Sequence, residues 1–201
     1  MTSITAHFGE NDLKKANGLE RHINIGDVFI HDQYDEDIYD YDFALLRMRE
    51  SLDLSSEAVK PICLLSDCES KPEDDRPTHC LTTGWSTIRN RKISPSKADG
   101  IEVTTVNVTA GVRCQQSLGS YDYTERKLCV QGYNNGGKPA CQVDNGGPLF
   151  CKMANDDSYF LHGIASYPQS SCTRPGVHVV YSRPCFVGEW IQRIVYSFSN
   201  K

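Results

Sequence analysis

The 201 residues carry a formal charge of −5 and a pI near 5.7, so the surplus of Lys and Arg that a nucleic-acid partner would need is absent. No apolar run reaches the length of a membrane span, so no membrane segment is expected. The nine cysteines include no C-x-x-C pair, which argues against a zinc site and for disulfides made in an oxidising compartment.

In chain order, the opening MTSITAHFGENDLKK has neither a basic leader nor an apolar core of the kind that directs secretion. A disulfide-rich chain needs a route out of the cytosol. The expectation is therefore a start upstream of Met1, a fragment, or an incompletely read gene. The polar turn GENDLKKANGLE (9–20) leads to the β-like run INIGDVFI (23–30). The acidic stretch DQYDEDIYDYD (32–42) then ends abruptly at the apolar run FALLRM (43–48), which reads as a solvated loop entering a buried strand. Beyond the turn-rich SKPEDDRP (70–77) comes IEVTTVNVT (101–109). Its triplet Asn107-Val108-Thr109 makes Asn107 a candidate glycosylation site. A second turn-rich stretch, YNNGGKPA (133–140), precedes CQVDNGGPLFC (141–151), where Asn145 and Gly146 both tolerate positive φ. YFLHGIASY (159–167) and VHVVYS (177–182) complete the set of short strands. That spacing predicts an all-β barrel or sandwich. The tail differs. Val187, Trp190, Ile191, Ile194 and Val195 recur at i, i+3, i+4, i+7 and i+8, one face of a C-terminal helix.

Several of these pieces together resemble the trypsin/chymotrypsin family of serine proteases. CQVDNGGPLFC resembles the turn Cys-Gln-Gly-Asp-Ser-Gly-Gly-Pro-Leu that carries the family's nucleophile. YDYDFALL (39–46) resembles the segment ending Asp-Ile-Ala-Leu-Leu, whose Asp orients the catalytic histidine. VKPICLL (59–65), CLTTGW (80–85), GIASY (163–167), RPGVHV (174–179) and FVGEWIQRI (186–194) match further segments in the family's order. One such match is commonplace, but seven in order from about Gly9 onward are specific. The resemblance implies an all-β fold of two antiparallel β-barrels of the trypsin type with a C-terminal α-helix, the first barrel lacking its opening strands. It divides one domain into a partial first barrel over about 1–75, a second barrel over 76–185 and the helix over 186–201. It also implies disulfides Cys80–Cys151, Cys114–Cys129, Cys141–Cys172 and Cys68–Cys185. Cys63 is left unpaired, or joined to a chain that precedes this one.

The resemblance assigns roles that the residues fill unevenly. A serine-protease triad needs a hydroxyl nucleophile, a histidine to take its proton and a carboxylate to hold that histidine. Asp42 stands at the carboxylate position. Asn145 stands at the nucleophile position, and its amide is no nucleophile; losing the serine of such a triad costs roughly 10⁶ in turnover. The family's Ala-Ala-His-Cys motif is missing. His7 in ITAH (4–7) falls on the following strand and lacks the Cys after it, and the other five histidines read as surface or core residues. Val143 replaces the glycine whose N–H helps form the oxyanion hole, a donor worth roughly 10²–10³ in turnover. Pro139 lies at the base of the specificity pocket, where trypsins carry an Asp. Ser166-Tyr167-Pro168 replaces Ser-Trp-Gly on the strand that hydrogen-bonds substrate, and proline has no N–H to give. Gln142, Tyr167 and Pro168 are expected to line the old cleft. GENDLKKANGLE resembles the family's calcium loop, with Glu10 and Glu20 as carboxylate ligands for Ca²⁺ and Asn17 in place of a third acid.

The expected function is that of a secreted protease homologue that binds proteins without cutting them. Its partner would be a protease, an inhibitor or a protease substrate within a protease cascade; no nucleic acid and no membrane enter. Two rival readings stand beside it. One is an active serine endopeptidase, should the sequence be incomplete or in error at Asn145. The other is a fragment that does not fold alone, exposing edge strands.

Overall fold

The computed structural model describes residues 3–65, 68, 79–85, 87–89, 92–94, 100–109, 111–119, 122–131, 144–153, 156–168 and 178–199. The first part of the chain forms a three-stranded antiparallel sheet in the order β1 (Thr5–Phe8), β2 (Arg21–Ile30) and β3 (Ala44–Met48). Ile23 and Ile25 of β2 are buried and Asn24 between them is exposed, the period-two alternation of a sheet with one solvated face. Among the described residues this sheet is open.

The second part is a closed barrel. β5 (His79–Gly84), β8 (Glu102–Thr109), β9 (Lys127–Gln131), β10 (Pro148–Met153), β11 (Asp156–Pro168) and β12 (His178–Ser182) pair in the cyclic order β10-β5-β8-β9-β12-β11 and back to β10. The two-residue β4 (Cys63–Leu64) adds in parallel to the outside of β11, and a small hairpin joins β6 (Thr87–Arg89) to β7 (Lys92–Ser94). β12 is buried at every position, so it shows no alternation: Val179, Val180 and Tyr181 run together between the buried polar ends His178 and Ser182. Val106, Leu128, Val130, Leu149, Phe160, Ala165, Val179 and Tyr181 fill the barrel. Fully burying one such side chain stabilises by about 1.5–3 kcal/mol.

Disulfides reinforce these elements. Cys80 and Cys151 face each other across β5 and β10 and are bonded. Cys114 joins Cys129 and thereby ties helix α1 (Gly111–Leu118), which no periodicity announced, to β9. Cys68 joins Cys185. The Cys141–Cys172 pair lies outside the described residues, and Cys63 is free and exposed.

The C-terminal helix α2 (Gly188–Ser199) follows a short 3₁₀ turn at Pro184–Val187. Val187 and Trp190 bury against Phe43, with Ile191, Ile194 and Phe29 packed around them, so the helix closes the seam beside β3. One expected position is corrected. Val195 is 53% exposed, and the contact one turn further on is made by Phe198, whose ring meets Phe29 at 5.4 Å. Eleven residues make just over three whole turns at about 3.6 per turn, so Phe198 returns to the Val187 face, whereas Val195 lies well off it.

Candidate functional site

The turn Asp144-Asn145-Gly146-Gly147 enters β10 and is stitched to β11 by its backbone. Gly146 N–H donates to Ala165 O at 2.7 Å, Gly147 N–H to Asp144 O at 2.8 Å, and Ala165 N–H to Gly147 O at 2.8 Å. Gly146 sits at φ +82°, where a side chain would strain the backbone although the space around it is open. Asp144 turns inward and its Oδ2 accepts from Trp85 N–H at 3.0 Å. Asn145 is exposed at the tip. The turn thus presents an amide, which can donate and accept hydrogen bonds but cannot attack a carbonyl.

Asp42 arrives from the other part of the chain. Phe43, the residue after Asp42, is buried in the α2 seam, and Ser166 Oγ donates to Asp42 Oδ2 at 2.5 Å. A bond across 124 positions of sequence therefore brings the Asp42 carboxylate to the strand that runs beside the Asn145 turn.

The acidic loop that delivers Asp42 is clasped rather than solvated throughout. Asp40 is buried, and its carboxylate accepts from Arg126 Nε at 3.1 and 3.2 Å, Arg126 Nη2 at 2.7 Å and Thr124 Oγ1 at 3.0 Å. Burial alone would push the Asp40 carboxyl up, but the hydrogen bonds from Arg126 and Thr124 outweigh it and hold it below the usual carboxylate range. Lys127, also buried, donates from Nζ to the carbonyls of Ile38 and Asp122; burial lowers its pKa. Tyr39 and Tyr41 adopt φ of 52° and 49°, a region that disfavours large side chains. The Arg126 bonds to Asp40 between them and the Lys127 bond to Ile38 just before them hold that conformation in place. No sequence pattern announced Asp40, Thr124, Arg126 or Lys127 as partners.

Tyr167, on the same strand β11 as Ser166, has its ring 4.9 Å from that of Tyr39. Its other side packs on the buried Cys114, Cys129 and Val180, and burial raises the pKa of its phenol. Pro168 ends β11 opposite Val179. Pro139, Gln142 and Val143 lie outside the described residues.

All six histidines of the chain are described, and none hydrogen-bonds Asp42. His31 is buried, stacks on Tyr41 at 4.6 Å and accepts from Gln33 N–H through Nδ1 at 3.2 Å. His178 shares a hydrogen bond with Ser117. His162 has a covered Nδ1 without a partner. His79 is exposed on β5, and His7 and His22 oppose each other on β1 and β2. A groove of about 540 Å³ lined by His31, Tyr41 and Trp190 among others includes none of Asp42, Asn145, Ser166 or Tyr167.

In the loop at 9–20, the Glu20 carboxylate accepts from Asn17 N–H at 2.6 Å and Gly18 N–H at 2.9 Å, one bond to each oxygen. These bonds lower its pKa. Asn17 Oδ1 accepts from Leu19 N–H. Glu10 instead faces the imidazoles of His7 and His22, at 3.7 and 3.8 Å. The all-oxygen set that Ca²⁺ prefers is thus not what surrounds Glu10. Asn107 is exposed on β8.

Comparison with known proteins agrees with this geometry. The family model described as Trypsin matches residues 1–191. "Trypsin-1" of Astacus astacus is 29% identical over 184 residues, covering 92% of this chain and 72% of its own. "Coagulation factor XI" of Bos taurus is 32% identical over 172 residues, 83% of this chain and 25% of its own, and "Atrial natriuretic peptide-converting enzyme" of Rattus norvegicus is 29% identical over 192 residues, 94% of this chain but 16% of its own. The chain thus spans under a third of those two relatives. A solved serine protease, neuropsin from mouse brain, superposes with a TM-score of 0.77 at 24% identity, covering 95% of this chain and 78% of that one, a likeness of fold. With the closed six-stranded barrel, the C-terminal helix and the Asn145 turn stitched beside the Asp42–Ser166 pair, the match over nearly the whole length means that this chain belongs to the trypsin family.

Proposed function

We propose that this chain is a pseudoprotease: a secreted trypsin-family protein that binds a protein partner through the old cleft and does not cleave it. The observation that carries the reading is the side chain at the tip of the nucleophile turn. The turn keeps its backbone geometry and its link to β11, yet displays the Asn145 amide, and the Asp42 carboxylate beside it is engaged by Ser166 alone among the described side chains. The family's triad uses a hydroxyl at the turn tip and a histidine held by the carboxylate; the tip here carries Asn145, and none of the described histidines hydrogen-bonds Asp42. Three disulfides support an extracytoplasmic setting. No helix among the described residues is long and apolar enough to cross a membrane.

Proteins of this family act on protein substrates or meet protein inhibitors, so the partner expected at the cleft is a protease, an inhibitor or a protease substrate. The exposed ring of Tyr39 and the half-buried ring of Tyr167 offer rigid amphipathic area of the kind that anchors interfaces. The names of two relatives, a coagulation factor and a peptide-converting enzyme, support a protease cascade as the setting to test. The test pairs two assays. Incubation with a mixed peptide library and a serine-directed fluorophosphonate should give neither cleavage nor labelling, and Asn145→Ser alone should recover neither. Cleavage above background would return the chain to the active endopeptidases.

A further inference from the structure

Outside the cleft, one cluster of side chains has a chemistry that the family resemblance does not supply. His7 on β1 and His22 on β2 are cross-strand partners in the antiparallel register, so their side chains leave the same face of the sheet. Their rings stack with centroids 4.0 Å apart at an interplanar angle of 29°. The turn that follows β1 brings Glu10 back over that face. Its Oε2 lies 3.7 Å from His7 Nδ1 and 3.8 Å from His22 Nε2, and one ligand atom from each of the three residues falls within 4.8 Å of the others. Both imidazoles are about half exposed, whereas the Glu10 side chain is 15% exposed, so the carboxylate is the fixed member and the rings form an open mouth.

We infer that His7, Glu10 and His22 form a binding site for a borderline divalent transition metal, zinc being the representative ion, with the fourth coordination position open to solvent or to a partner's side chain. A tetrahedral ion bound at about 2.0–2.1 Å by each ligand spaces neighbouring donor atoms about 3.3 Å apart. The two carboxylate–imidazole distances need to close by about half an ångström and the imidazole–imidazole distance, within 4.8 Å, by at most about 1.5 Å, movements that half-exposed rings can make by χ rotation. Imidazole nitrogens suit zinc, copper and nickel, while calcium calls for six to eight oxygens. The same carboxylate therefore serves a different class of cation from the one implied by the family's calcium loop. A bound ion would pin β1 to β2 and to the 9–20 loop, in the sheet where, among the described residues, β1 has β2 as its single neighbour.

The purified chain should be titrated with Zn²⁺ alone by calorimetry, and with Co²⁺ followed by its visible spectrum. One ion per chain is expected, with His7→Ala and His22→Ala each weakening binding by at least about tenfold and Glu10→Gln weakening it as well. Millimolar Ca²⁺ should not compete. Glu20→Gln and Cys63→Ser should leave the titration unchanged, the latter because Cys63 is the free thiol among the described cysteines. Absence of binding would overturn the inference, as would a titration insensitive to both histidine substitutions. Loss of binding in Cys63→Ser, or displacement of zinc by calcium together with sensitivity to Glu20→Gln, would also overturn it by assigning the ion to the thiol or to the calcium loop.

Discussion

Replacing Arg126 should loosen the loop that presents Asp42, and the size of the effect follows from the clasp. The Arg126 side chain is 23% exposed and that of Asp40 is 8% exposed. Removing one partner of a buried ion pair costs about 3–5 kcal/mol, because the other charge stays buried without compensation. Two further donors, Thr124 Oγ1 and Tyr41 N–H, remain for Asp40 in Arg126→Met, and the guanidinium is partly hydrated to begin with. The lower end, about 3 kcal/mol, is therefore expected. Asp40→Leu should cost a similar amount by leaving the cation and two donors unpaired. The double variant removes both charges and restores apolar volume, so it should cost no more than about 2 kcal/mol, far less than the sum. Urea unfolding with the disulfides intact, at a common m-value, measures all three. Single effects that add to the double within about 0.5 kcal/mol would refute the reasoning, since they would show that Asp40 and Arg126 are not coupled. The clasp also has a pH signature. Because the folded Asp40 carboxyl lies below its unfolded value, its stabilisation is full above the ordinary carboxylate range and is lost as pH falls through the folded value. Arg126→Met should remove that acid-side loss.

His162 and Gly163 supply two further tests. Burial pushes the His162 imidazole down to about 4, against about 6.5 unfolded, so between these values the unfolded chain binds a proton that the native one refuses. Stability should fall by about 3 kcal/mol as pH drops from about 6.5 to about 4, and His162→Phe should flatten that slope; an unchanged slope would dismiss the assignment. Gly163→Ala places a Cβ 2.9 Å from Tyr181 Cβ and 3.3 Å from its ring. Tyr181 is fully buried and bonded through its hydroxyl to Thr82, so it cannot yield. A loss of about 2 kcal/mol or more is expected by thermal or urea unfolding, and a loss below about 0.5 kcal/mol would show that the barrel adjusts.

Much of the architecture was legible along the chain because it rests on local periodicity and on motif order. The β-like runs at 23–30 and 101–109 became parts of β2 and β8, residues 178–182 of the run VHVVYS became β12, and the period of Val187, Trp190, Ile191 and Ile194 became the packed face of α2. Helix α1 escaped notice, since eight residues make too few turns to establish a period and the Cys114–Cys129 bond supplies what propensity does not. Once the resemblance had located the turn, the amide of Asn145 in place of a hydroxyl was legible by residue type, because a nucleophile is a property of one side chain. What the sequence could not contain is partnership across space. Asp40 and Arg126 are 86 positions apart and Asp42 and Ser166 are 124 apart, and no spacing rule links residues that meet only when the open sheet docks on the barrel. The absence of C-x-x-C pairs spoke only to thiolate sites. The His7, Glu10 and His22 cluster needs the register of β1 on β2 and the turn at Gly9 before its three donors share one point in space, and register is a tertiary decision, set by which face of the strand is buried.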